Sequence, residues 1–222
     1  IDDSLVNTRL TGTDSTTVAI EAASHSYAAT FITVGSIGGV AAAGADANTI
    51  MERSTHAGLT NSTLGTTTPG FAGAGVTALD IAVNASQSAA SNVLGFAVGF
   101  GGAAASGVVN SFAATTTATL DQGLVTAGRV GVNAESRNGF YAQAVSGAAG
   151  GVGMGSSFVV GTSRNTTLAT IGGGSGQTTL NLNGALAIAA RSINNFTTLS
   201  AGGAAGGFAG VAGMVSFVDV EN

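Results

Sequence analysis

Two histidines, six arginines and eleven carboxylates supply almost all the ionisable chemistry in this chain of 222 residues, which contains neither cysteine nor lysine. The missing lysine excludes a phosphate-binding loop, which needs that side chain after its glycine run. Gly151-Val152-Gly153-Met154-Gly155-Ser156 opens with dinucleotide-fingerprint spacing but ends on Ser156 where the last glycine belongs. His25 and His56 have no second histidine at ligand spacing, so each reads as a solvent-facing or loop residue rather than a metal ligand. Gly173-Gly174-Ser175-Gly176-Gln177-Thr178-Thr179-Leu180 matches the glycines of a calcium nonapeptide and lacks its aspartate. No Gly-x-Ser-x-Gly elbow marks a nucleophilic serine.

The densest mixture of acid and base is Asp46, Glu52 and Arg53, which could serve a polysaccharide-acting enzyme. With no third acid or aromatic platform beside it, a solvated loop is the better reading. Asn61, Asn84, Asn165 and Asn195 each open a formal glycosylation sequon, a frequent coincidence in a chain rich in Asn, Ser and Thr. No catalytic, cofactor-binding or metal-binding residue is assigned, and the expectation is a protein that is not an enzyme.

The elements that would carry any site are set by alternation. Val18-Ala19-Ile20-Glu21-Ala22, Ile81-Ala82-Val83-Asn84-Ala85, Val130-Gly131-Val132-Asn133-Ala134 and Leu186-Ala187-Ile188-Ala189-Ala190 share one form, aliphatic, small, aliphatic, any, Ala. That period of two predicts strands with one buried face. Each anchor is followed by a Gly/Ala tract: Gly35 to Ala45, Gly99 to Val108, Gly147 to Ser157 and Gly202 to Gly213. Thr-rich stretches ending at Leu59, Leu120 and Ile171 come next. Ile1-Asp2-Asp3-Ser4-Leu5-Val6 also matches Leu120-Asp121-Gln122-Gly123-Leu124-Val125, so both ends are expected to fall inside a longer array.

The expected fold is an all-β, right-handed parallel β-helix (β-solenoid) of about four imperfect repeats of roughly 50 to 60 residues each. The chain reads as one continuous segment with approximate units 5–59, 60–119, 120–171 and 172–222. Two coils per unit would stack about eight coils at ~4.8 Å, with rows of Gly and Ala keeping one face thin. Ala201 to Val218 carries no charge, but its glycines and the lack of a flanking basic cluster argue against a membrane span.

Charge bounds the partners. Charged residues make up 8% of the chain and the net charge is −5, so the basic footprint of a nucleic-acid binder is missing. A surface covered mainly by Thr, Ser, Asn, Gln and Gly fits a secreted or cell-surface protein.

Phrases such as Val83-Asn84-Ala85-Ser86, Ser146-Gly147-Ala148-Ala149-Gly150-Gly151-Val152-Gly153 and Ala118-Thr119-Leu120-Asp121 carry a resemblance across the chain. It resembles the repeat regions of very large bacterial filamentous haemagglutinin-like and leukotoxin-like exported adhesins. That resemblance implies a β-helical shaft delivered through an outer-membrane secretion partner and serving attachment or biofilm cohesion. Expected contacts are self-association along a fibre, or glycans and other cell-surface ligands. A self-assembling extracellular filament or sheath subunit is the alternative reading, and a polysaccharide-acting β-helix enzyme a remote one.

Overall fold

Alternation of aliphatic with small or polar residues persists far beyond the four anchors, and the backbone follows it. The computed structural model describes residues 5–6, 16–65 and 76–222. It contains short strands β1 (Leu5–Val6), β3 (Thr63–Leu64) and β6 (Thr179–Leu182). Four long runs accompany them: β2 (Thr16–Thr60), β4 (Val76–Asp121), β5 (Leu124–Ile171) and β7 (Leu186–Glu221). All seven join one parallel sheet, in the order β1-β3-β5-β4-β2, with β6 and β7 also pairing β5.

Runs of 36 to 48 residues exceed the usual strand length several-fold. They are possible because each folds back at its glycine-rich middle. Within β4, Ser91 Oγ donates to Asn110 Oδ1 at 3.0 Å, and within β7 Ser216 Oγ donates to Thr198 Oγ1 at 2.7 Å. The sheet is thus creased into two facing leaves. The crease runs through the glycine tracts, where the ladder is interrupted around Gly99, Phe100, Gly150 and Gly151. A side chain at Gly150 would collide with the Gly99 carbonyl oxygen, so at this bend only glycine lets neighbouring backbones close.

The space between the leaves is graded. Far from the crease it holds Leu59, Leu79, Ile81, Val83, Leu120, Val130 and Val132. Phe112, Phe140, Val93, Val108 and Val159 fill the middle. Near the bend only Ala41, Ala43, Ala97, Ala104 and Ala148 fit. Each large aliphatic side chain buried here contributes roughly 1.5–3 kcal/mol. Phe140 stacks on Phe196 with centroids 4.5 Å apart and meets Phe112 edge-on at 5.7 Å. At the end opposite the crease, Asn61 and Gln122 turn the chain with positive φ of 49° and 51°.

The right-handed parallel β-helix, or β-solenoid repeat, expected from the sequence is corrected by these findings. Its two short coils per unit are absent: each segment supplies one long run to a single seven-stranded parallel sheet. The physical reason is the glycine tracts, which act as a crease rather than as a thin stacking face. Register corrects the anchors too. Val18 lies opposite Leu79 and Ile20 opposite Ile81, so the second anchor is displaced by two residues, whereas Val130 faces Leu186 as aligned. Ala201 to Val218 lies within β7, and no helix occurs among the described residues. Ile1 to Ser4 and Thr66 to Thr68 fall outside the described residues.

Candidate functional site

Residues of one parity point into the gap between the leaves; the other parity faces solvent. On the outer side of the first leaf, register builds three heterogeneous columns across β2, β4, β5 and β7. They are Glu21, Ala82, Asn133 and Ala189; Ala23, Asn84, Glu135 and Arg191; and His25, Ser86, Arg137 and Ile193. Parallel pairing holds neighbours in each column ~4.8 Å apart, and successive columns are about 6.6 Å apart along the strand.

Asn84, Ala85, Ser86, Glu135 and Arg137 line a cavity of about 230 Å³ on this face. Arg137 Nε donates to Glu135 Oε1 at 2.5 Å, which fixes both side chains over the cavity. Beside them Arg129 pairs with Asp80 at 2.9 Å, in the room left by Gly131, whose missing side chain would meet Asp80 Oδ1. Exposed pairs of this kind contribute roughly 0–1 kcal/mol, so their effect is to orient groups rather than to stabilise the fold. His25 Nδ1 is hydrogen-bonded to Ser86 Oγ. Tyr27 lies two residues beyond His25 on the same face, and Tyr141 four residues beyond Arg137; both rings are exposed. Three of the five arginines among the described residues, Arg129, Arg137 and Arg191, lie on this one patch.

The Ser86–His25 contact has the form of a nucleophile beside a base. It lacks the rest of such a site. Among the described residues no further hydrogen-bonded partner orients His25, and Ser86 sits on a strand paired on both sides, whose backbone N–H groups are engaged in ladders. What the patch does offer is amide, hydroxyl, carboxylate, guanidinium and imidazole groups, a set that both donates and accepts hydrogen bonds.

The acid and base cluster singled out in the sequence is taken apart by the fold. Asp46 and Glu52 are exposed on the outer side of the second leaf, six residues apart on one strand, and Arg53 points inward. No groove among the described residues unites them, so this cluster does not carry the polysaccharide-acting enzyme reading. His56 is exposed on that same outer side. Among the described residues no three His, Cys, Asp or Glu side chains gather in one place. Of the sequons, Asn84 and Asn195 are exposed, whereas Asn165 is 5% exposed and belongs to an interior network.

That network carries a regular polar row. Asn138 Nδ2 donates to Asn194 Oδ1 at 3.3 Å, Asn165 Nδ2 to the same oxygen at 3.0 Å, and Asn194 Nδ2 to Asn222 Oδ1 at 2.7 Å. Thr55, Thr116 and Thr167 form a second aligned row, also facing inward. On the outer side of the same leaf Ser54, Thr115 and Thr166 align as an exposed hydroxyl row, whereas the outer columns of the first leaf mix residue types. The single seven-stranded sheet, in place of stacked coils, corrects the shaft and the filament or sheath readings: the chain is a small all-β domain. The resemblance to filamentous haemagglutinin-like and leukotoxin-like exported adhesins is likewise corrected by the sheet topology, and no family model, curated protein or solved structure matches this chain.

Proposed function

We propose that this chain is a non-catalytic carbohydrate-binding domain that works outside the cell, with the Asn84–Ser86–Glu135–Arg137 patch as its combining site. The observation that carries the reading is the cavity of about 230 Å³ lined by these side chains, where donors and acceptors alternate. Sugar hydroxyl groups donate and accept at once, so a mixed set of amide, hydroxyl, carboxylate and guanidinium suits them better than a field of one sign. Tyr27 and Tyr141 offer amphipathic rings on the same face for the apolar side of a sugar. Arg191, adjacent to Glu135 across the ladder, extends the site toward β7. A low charge fraction supports a setting outside the cell, where Thr, Ser, Asn and Gly cover the surface.

Titration calorimetry against a panel of neutral and acidic oligosaccharides tests this. Saturable binding is expected, weakened at least tenfold by Arg137→Ala or Glu135→Ala, with thermal unfolding nearly unchanged because both side chains lie outside the core. No saturable binding to any glycan, or binding indifferent to both substitutions, would overturn the proposal.

A further inference from the structure

Arg53 is oriented against the usual habit of long cationic side chains, which lay their methylenes on apolar surface and keep the charge in water. It faces inward from β2, and its Nε and Nη1 are buried without a hydrogen-bond partner. Its Nη2 donates to Ser136 Oγ at 3.2 Å. Ser136 belongs to β5, two strands away, so the side chain crosses β4, where Ala85 and Ala114 leave room for it.

Among the described residues no carboxylate shares this part of the interior. Glu52 points outward, Glu135 is paired with Arg137 on the outer face, and the buried Asp121 is at the far corner, accepting from the Gln122 N–H at 2.9 Å. A buried charge without a partner is costly, so natural interiors pair it. Thr55 Oγ1 and Thr116 Oγ1, aligned with each other and two residues along the same inward face, are buried and unpartnered as well. The Nε and Nη1 of Arg53 and two hydroxyl groups two residues along the same inward face are thus left without partners beside one formal positive charge.

We infer that the interior binds one small monovalent inorganic anion, of chloride size, against the Arg53 guanidinium, with the Thr55 and Thr116 hydroxyl groups as its other donors. The unpartnered carbonyl oxygens of Gln87, Asn138 and Asn165 repel an anion and mark where water flanks it. Water in place of the anion would satisfy hydrogen bonds but leave the charge uncompensated.

Thermal unfolding of the whole chain in sodium chloride and in sodium gluconate at equal ionic strength separates the cases. A saturable rise in Tm of about 2–4 °C is expected with chloride alone, as for any ligand that binds only the folded state. Arg53→Met should abolish the difference. Equal responses to both salts, or an Arg53→Met protein that keeps the chloride response, would sink the inference. Should that variant not fold, crystals grown in bromide decide: an anomalous peak within hydrogen-bond distance of Arg53 Nε is expected, and a site holding only water overturns it.

Discussion

Gly161 and Phe140 show how closely single residues in this chain are matched. Both belong to β5, on opposite leaves, and a side chain at Gly161 would strike the far end of the Phe140 ring. That ring is wedged between Phe112 and Phe196 and has nowhere to retreat. Gly161→Ala is therefore expected to destabilise by roughly 1–3 kcal/mol through overpacking, and Phe140→Ala by about 3–5 kcal/mol through the cavity it leaves. Combined, the two substitutions should cost less than their sum, because each relieves the other; denaturant titration of the four proteins of the cycle measures this. Gln122 presents the opposite case. Its φ of 51° is one that side chains disfavour, so Gln122→Gly is expected to stabilise by about 0.5–1 kcal/mol. The same titration reads it.

At the scale of elements, the strands were legible and their bends were not. Alternation at Ile20, Ile81, Val132 and Ile188 marks one column, buried at Ile81 and Val132, and the register confirms that these four residues lie opposite one another. The displaced second anchor follows from the same periodicity: Leu79 and Ile81 share a phase, so either can start the pattern, and only pairing with β2 decides. A run of Gly and Ala equally permits close stacking or a sharp crease, and the choice depends on the larger residues that fill the interior beyond it. The candidate site was illegible for a different reason. Asn84, Ser86, Glu135 and Arg137 come from strands whose partners lie fifty-one or more residues away, and no local spacing records that proximity. The outermost strand has its own consequence. β7 exposes Phe208, Val211, Met214, Val215 and Phe217 along an edge with unpaired backbone groups, the arrangement that recruits stray chains. Phe217→Lys should reduce light scattering of concentrated solutions while changing stability by less than about 0.5 kcal/mol.

For the molecule as a whole, protection should follow position in the sheet. β4 and β5 have partners on both sides, β2 and β7 on one. Backbone amides of Ile81 to Val93 and Val132 to Ala144 are expected to exchange with deuterium last, and those of β2 and β7 first, which mass spectrometry of timed digests would resolve. A flat protection profile across all four runs would contradict the arrangement.

The register also dictates how fast this architecture can assemble. Ile20 must find Ile81, sixty-one residues on, and Ile81 must find Val132, fifty-one residues on, before either pairing is rewarded. No hairpin offers a cheap local start, because every ladder is parallel. The entropy of closing such loops is spent in advance, so refolding should be slow, on the order of milliseconds to seconds, and once two neighbours have zipped the next has a template to follow.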